Sequence, residues 1–453
     1  MSTRWYSTQP HIYTTPFDPI ERITHYYVTI NPHMQQWSIT PAAVLPASKV
    51  YTPSQIKSAW KTLRFYHPII AVTINSDEAE LVYQVPRNGE EIEQWIKESV
   101  IVSDGTGKSG TEVLRDQAVP RSGQVYWIPE KREVVLHFPH QISDGIGSII
   151  LLNNFLRILR TGETILDEEF GNEVGRLPGS LFDTLGGKEW RDVNFGLNSE
   201  EFEKAEDIAK KFLGNDSISV SIQEGVGSGT LPTVPYGRVE YEFDEEQTDK
   251  IVKACKDKGI TVTNAVMAAN AFEMLKYGNG KKEGPTISNL VSVNYRPLIE
   301  EEKGRLQAGG NMFVDTFSVF EVDKEKGFEH LAKEVKQELD RWKNDVSYIS
   351  YSPLIVDRLE EAARQGVSEG KIGSSGFVVS SLGIVEKYLV EEVKDFWFGI
   401  SVASVGAGCL FIWTVRGRLK IAVCFNEAWF EGGVIEGFVE GLAGGLRKGL
   451  GLE

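Results

Sequence analysis

With 453 residues and 41% hydrophobic side chains, the chain exceeds what one core usually holds, so two domains are expected. Its net charge of -16 argues against nucleic acid and against anionic membrane surfaces as partners. Cys255, Cys409 and Cys424 show no C-x-x-C spacing, which argues against a disulfide frame or a zinc site and fits a reducing compartment.

Residues 1–13 lack the apolar core of a signal peptide, and no apolar run is long enough to span a bilayer, so a cytoplasmic protein is expected. Residues 23–31 read as a first strand. Thr52 then caps a helix that has Pro53 at its first position. Ile56, Ala59, Trp60 and Leu63 fall on one face of that helix, and His67-Pro68 ends it. Residues 69–74 and 81–85 read as a hairpin.

Residues 125–128 and 134–138 flank the polar turn 129–132 and predict a second hairpin. Pro139 cannot donate to a ladder, so pairing is expected to stop there. Gly145 allows a tight turn. Residues 146–159 are apolar on all sides and predict a buried helix. His140 therefore stands just past a strand end, in a short loop before a helix. A histidine held this way can act as a general base, because its ordinary pKa lies near neutrality. Asp144, four residues on, sits beside an apolar helix start and must find a partner if buried. Residue types alone leave two readings open: a loop histidine with a helix-capping aspartate, or a catalytic histidine.

Between residues 160 and 237 apolar periodicity is poor. Asn198 and Glu201 can cap one amphipathic helix running to Leu213, and 225–235 is turn-rich. We therefore expect an N-terminal α/β domain over 1–165, a crossover over 166–237 and a C-terminal α/β domain over 238–453. The second half restarts the alternation. Strands are expected at 239–243, 287–293, 313–322, 377–381, 396–403, 409–415 and 419–425. Helices are expected at 245–258, 263–277, 328–343 and 434–450, the Ala-rich second one buried. The last helix has an apolar stripe of Val434, Phe438, Leu442 and Leu446. Its glycines each cost about 1 kcal/mol of helix propensity, so packing must hold it. A cleft between two such domains is a common place for a ligand.

Several motifs, in order along nearly the whole chain, resemble one superfamily. His140, Gln141, Ile142, Ser143, Asp144 and Gly145 form an H-x-x-x-D-G motif. Asp395, Phe396, Trp397, Phe398 and Gly399 resemble the D-F-G-W-G motif of the BAHD acyltransferases. Val293, Asn294, Tyr295, Arg296 and Pro297 resemble that family's arginine-bearing strand end. The helix start 259–264, running into Ala268 and Ala269, is similar to that of condensation domains. Ser380, Ser381, Leu382 and Gly383, with the Asp395 motif, are similar to fungal O-acetyltransferases of the trichothecene type.

The resemblance implies an α/β, two-domain fold like chloramphenicol acetyltransferase, with a tunnel between the domains. It implies His140 as general base and Asp144 paired with Arg296 to fix the His140 loop, away from the imidazole. Gly145 and Asp395 would shape the site. Asn294, Ser380 and Ser381 are candidate oxyanion donors. Trp397 and Phe398 are candidate substrate-binding residues, and here the chain departs from the motif: tryptophan stands third and phenylalanine fourth. Pro139 replaces the first histidine of condensation domains, which weighs against peptide-bond formation on a carrier.

The leading expectation is thus an acyl-CoA-dependent O-acyltransferase, a monomer, esterifying a hydroxyl of a small secondary metabolite. Acyl-CoA would be a co-substrate, with no permanently bound cofactor. No metal is expected: His137 and His140 lie on a strand and its end, with no third ligand at metal spacing nearby, so activity should survive chelation. Three rivals remain, the first of them also an acyl transfer. One takes its acyl group from a carrier-protein-bound polyketide or peptidyl thioester. One uses the same tunnel for isomerisation or cyclisation. One only binds ligands.

Overall fold

The computed structural model describes the chain apart from residues 1–3, 30–36, 104, 116, 187–188, 193, 216, 219–235, 278–283, 300–307, 369–376, 403–407 and 431. The turn-rich stretch expected at 225–235 lies outside the described residues. The chain divides into two compact units. The first comprises Met1–Gly187, Asn294–Phe313 and Val385–Ile400; the second comprises Lys188–Val293, Val314–Ile384 and Ser401–Glu453.

The first unit opens with β1 (Tyr6–Gln9), β2 (Ile12–Pro16), α1 (Pro19–Thr29) and β3 (Ser38–Val44). Next come α2 (Pro53–Tyr66), β4 (Thr73–Asn75), β5 (Glu80–Gln84), α3 (Gly89–Ser99) and β6 (Val100–Val102). Then follow α4 (Gly110–Leu114), β7 (Gln124–Ile128), β8 (Glu133–Pro139) and α5 (Gly145–Thr161). The second unit begins with α6 (Ser199–Leu213), β9 (Tyr236–Glu242), α7 (Glu245–Asp257), α8 (Val262–Tyr277) and β10 (Thr286–Asn294). It continues with β11 (Phe313–Glu321), α9 (Gly327–Asn344), α10 (Ser347–Ser368) and β12 (Val378–Ile384). After β13 (Asp395–Ile400), which belongs to the first unit, it ends with β14 (Cys409–Val415), β15 (Arg418–Asn426) and α11 (Val434–Leu450).

The first unit holds a five-stranded sheet ordered β13-β3-β8-β7-β6 and a four-stranded sheet ordered β1-β2-β5-β4. The β7–β8 hairpin forms as its sequence predicts, with a 3-10 turn at Pro129–Lys131 and Arg132 in the left-handed region (φ 50). Helix α2 begins at a capping box between Thr52 and Gln55, and buries Ile56, Ala59, Trp60 and Leu63. Trp60 stacks on Trp95 of α3 with centroids 5.8 Å apart, and meets Phe155 of α5 edge-on at 5.9 Å. The α5 helix is buried along most of its length, so the segment that follows His140 is anchored in the core.

Several expectations for this unit are corrected. Residues 23–29 are helix, not strand. Asp18 and Glu21 bond each other's backbone N–H at 3.0 and 2.9 Å, and Pro19 takes the first helical position. That start outweighs the β-branched and aromatic content of the run. Asn31 lies outside the described residues. Of the expected 69–74 strand, Pro68–Ala71 is a 3-10 turn and only β4 pairs, antiparallel to β5. Pairing does not stop at Pro139: it stands opposite Ser38, and the next N–H, of His140, donates to the Trp37 carbonyl at 2.9 Å. Strand β3 escaped notice because Pro41 sits in mid-strand. Its pairs with β8 lie on either side, Ile39 with Phe138 and Ala42 with Val135.

The largest difference concerns the D-F-W-F-G strand. Expected in the C-terminal domain, β13 instead pairs antiparallel with β3, Trp397 opposite Ala42 and Asp395 opposite Val44, and completes the first unit's sheet. It ends at Ile400, short of the expected 403. The 294–313 segment likewise clusters with the first unit: the chain leaves the second sheet at Asn294 and re-enters it at Phe313.

The second unit has a six-stranded sheet ordered β11-β10-β12-β14-β15-β9. One face buries Val291, Val379, Leu410, Ile412, Ile421 and Val423 against α7, α8, α9 and α11. The Ala-rich α8 is buried as predicted, through Ala265, Ala268, Ala269 and Ala271. In α11 a side chain at Gly441 would collide with Glu273 of α8, so the glycines that weaken this helix alone let it pack closely. Asn198 caps α6 with Glu201 in a capping box, as expected. Helix α10, not expected from the sequence, contains Pro353.

Candidate active site

His140 is placed from both sides by main chain and aromatic rings. Its backbone N–H is tied to Trp37, whose φ of 63° is left-handed. The half-buried imidazole lies between the Trp37 and Phe313 rings, at centroid distances of 6.0 and 5.9 Å. Nδ1 is buried and has no hydrogen bond of normal geometry among the described residues. Burial pushes the His140 pKa below the ordinary imidazole value. Its own carbonyl, the Asp144 carboxylate, the Asn311 amide and the Ser143 carbonyl partly oppose that shift. The ring is therefore neutral, and able to accept a proton, at neutral pH.

Asp144 is both the helix cap that its residue type allowed and the partner of Arg296 that the resemblance implied. It is the N-cap of α5, with Oδ1 accepting the Gly147 N–H at 2.7 Å. It also receives Arg296, whose Nη1 lies 2.8 Å from both carboxylate oxygens. A single guanidinium nitrogen thus bridges the carboxylate, rather than the two-nitrogen fork. The pair is buried, at 4% and 8% exposure, where desolvation exceeds the attraction unless further hydrogen bonds are made. Met312 N–H supplies one to Oδ2 at 2.7 Å, and Arg296 Nη2 donates to the Gly310 carbonyl at 3.1 Å. Asn294 Oδ1 accepts the Arg296 backbone N–H at 3.1 Å, so this candidate oxyanion donor supports the arginine. Its Nδ2 reaches the Tyr388 hydroxyl at 3.4 Å.

The 308–313 segment holds the His140 loop throughout. Gly310 N–H donates to Ile142 O at 2.8 Å, and Asn311 Nδ2 to His140 O at 3.1 Å and Gln141 O at 3.2 Å. Sequence reasoning missed Asn311, Phe313, Trp37 and Gly147. The signal available was Gly309-Gly310-Asn311 before a strand, since paired glycines often mark close backbone approach. Gly147 is such a position: a Cβ there would collide with the Ala308 carbonyl and lie 2.6 Å from Arg296 Nη2. Gly145, expected to permit a tight turn, is instead the first residue of α5, with φ outside the left-handed region.

The remaining candidates lie elsewhere. Trp397 donates its indole N–H to the buried Glu133, whose other oxygen takes the Gly110 N–H of α4 at 2.7 Å. Glu133 and His140 stand at opposite ends of β8, roughly 20 Å apart at strand rise. Trp397 packs with Ala42, Leu114, Tyr126, Ile128 and Val135, and Phe398 is buried beside it on β13. Asp395 opens β13 and its Oδ1 accepts the Phe396 N–H at 2.9 Å. Ser380 and Ser381 lie on β12 of the second unit, where Ser381 Oγ is 2.8 Å from Thr263 Oγ1. His137 is a core residue near Tyr126, with burial pushing its pKa down to about 3. Among the described residues no group of three or more His, Cys, Asp or Glu could hold a metal ion. No helix among them is long and apolar enough to cross a membrane.

The chain is 25% identical over 466 residues to the O-acetyltransferase pigM of Monascus ruber, covering 99% of this chain and 88% of that relative. Its fold is similar to that of TRI3 trichothecene 15-O-acetyltransferase from Fusarium sporotrichioides, with a TM-score of 0.82, 17% identity and coverage of 98% and 97%. It is also similar to the EpoB cyclization-docking bidomain from Sorangium cellulosum, with a TM-score of 0.63, 15% identity and coverage of 96% and 87%. No protein-family profile matches the chain. These likenesses give the chain the two-domain α/β fold, like chloramphenicol acetyltransferase, that its motifs led us to expect.

Proposed function

We propose that this chain, similar end to end to fungal O-acetyltransferases of secondary metabolism, transfers an acyl group from acyl-CoA to a hydroxyl of a small molecule. His140 is the general base of that reaction. The observation that carries the reading is the His140 imidazole itself: half-buried, its pKa pushed down by burial, and its loop locked by the Asp144–Arg296 pair.

In this mechanism Nε2 takes the proton of the acceptor hydroxyl as its oxygen attacks the thioester carbonyl. The new C–O bond forms and the carbonyl oxygen becomes an oxyanion. Collapse breaks the C–S bond, and the imidazolium returns its proton to the departing thiolate. No acyl-enzyme is required, because positioning both substrates beside one base makes the attack effectively unimolecular. Asp144 serves by fixing the loop, its oxygens being committed to Arg296, Gly147 and Met312. No resident cofactor or metal takes part.

The test is product analysis by mass spectrometry after incubation with a panel of acyl-CoAs and hydroxylated metabolites. Ester and free CoA should appear together, and His140→Ala should lower turnover by about 10²- to 10⁴-fold while remaining folded. Near-normal turnover by folded His140→Ala would overturn the base assignment. Transfer from a carrier-bound thioester alone would replace acyl-CoA as donor.

A further inference from the structure

We propose that Asn311 is a positioning residue for His140: its carboxamide oxygen accepts the Nδ1–H, fixing the tautomer that leaves Nε2 free to take a proton. The inference rests on the role given to His140 above and extends it to a residue that no motif marks. The orientation of the Asn311 amide is set by chemistry. Its Nδ2 faces two backbone carbonyls, of His140 and Gln141, which can only accept. Oδ1 must then point the other way, and it is buried with no donor among the described residues. His140 Nδ1 is likewise buried with no partner of normal geometry.

Two buried orphans, one an acceptor and one able to donate, thus belong to residues already joined by a 3.1 Å hydrogen bond. Leaving both unpaired is costly, and pairing them with each other satisfies both. The amide is also near enough to the ring to favour its protonated form. The competing acceptors are the carbonyls of His140 and Ser143; the first also receives the Asn311 Nδ2, which leaves it one lone pair. The charged group that acts on the ring is Asp144, paired with Arg296, and the neighbouring Gln141 reaches His25 at 3.5 Å. A fixed tautomer matters because imidazole with its proton on Nε2 cannot accept from the hydroxyl.

Two measurements test this. The first needs no substrate: ¹⁵N shifts of the histidine rings, with His140 assigned by its loss in His140→Gln. Wild type should show His140 protonated on Nδ1 alone, and Asn311→Ala should show a mixture. A wild-type ring protonated on Nε2, or an unchanged tautomer in Asn311→Ala, overturns the proposal. The second is kinetic. Asn311→Ala should lower kcat about 10- to 100-fold, part of what general-base catalysis supplies, with KM for both substrates nearly unchanged. Asn311→Asp keeps the accepting oxygen and adds charge, so the acid limb of its kcat/KM profile should move about one unit to higher pH. If Asn311 served only to hold main chain, both variants would lose activity with that limb unmoved, and the proposal would fall. Absence of turnover by the wild type with every acyl-CoA would sink the proposed function instead, while the ring shifts would still decide on Asn311.

Discussion

Replacing Gly147 by alanine probes the site without removing any charged group. The added Cβ meets the Ala308 carbonyl head-on, with Arg296 Nη2 at 2.6 Å and Ser143 Oγ at 3.2 Å. The arginine tip could swing aside, but the carbonyl is main chain and would have to retreat about 1 Å to reach ordinary contact. That displacement drags the residues that follow, which make the Gly310–Ile142 and Met312–Asp144 hydrogen bonds at 2.8 and 2.7 Å. Overpacking of this kind costs about 1–3 kcal/mol, and weakening a bond to a buried carboxylate adds about 1.5 kcal/mol. Alanine returns up to about 1 kcal/mol of helix propensity. The net expectation is a loss of about 2–3 kcal/mol, with turnover down roughly 100-fold because the His140 loop shifts by an ångström. Urea unfolding and steady-state kinetics of Gly147→Ala measure both. A variant as stable and as active as the wild type would mean that the 308–313 segment does not hold the loop, and the account of the site given above would be wrong.

His67 is buried, accepts from Asn154 Nδ2 at 2.9 Å, and has its pKa pushed down to about 4 by burial and by Arg157 and Arg176. The unfolded chain takes up this proton near pH 6.5 and the folded one only near 4, so its contribution to stability is complete above 6.5 and is lost as pH falls towards 4. Relative to His67→Gln, the wild type should therefore lose roughly 2 kcal/mol between pH 7 and pH 5, read by urea unfolding at the two values. Parallel curves would show that His67 is not held neutral. Trp397→Phe removes a donor from the buried Glu133 and should cost about 1.5–3 kcal/mol of stability with kinetic constants unchanged. A raised acceptor KM at unchanged stability would instead put Trp397 against substrate.

The elements around His140 were the most legible. The β7–β8 hairpin, the α5 helix and the positions of His140 and Asp144 follow from a polar turn between two apolar runs and a glycine-flanked helix start, all local signals. What escaped depends on distant partners. Nothing near Asn311 says that its amide will cap two carbonyls in the His140 loop, because the pairing exists only once the chain has folded. Trp397 looked like a substrate contact because its motif position suggested one, yet its N–H is committed to Glu133 across the sheet. Propensity misled at 23–29, where two side-chain caps outweighed a β-rich composition. At Pro139 proline was read as a break, whereas the ladder tolerates it, as at Pro41, where no N–H is needed.

The make-up of the first unit has a consequence for biosynthesis. Its strand β3 is translated early, but the strand that covers one of its edges, β13, comes from the far end of the chain. At a ribosomal pace of about 5–20 residues per second, that edge waits roughly 20–70 s for its neighbour. Over that interval β3 offers unpaired N–H and C=O groups to any other nascent chain, the circumstance in which chaperones are needed. The loop around His140 is finished later still than its own synthesis, since Arg296 and the 308–313 segment must arrive first. A ribosome that stalls before Arg296 therefore releases a chain that carries the imidazole but not the framework that aims it.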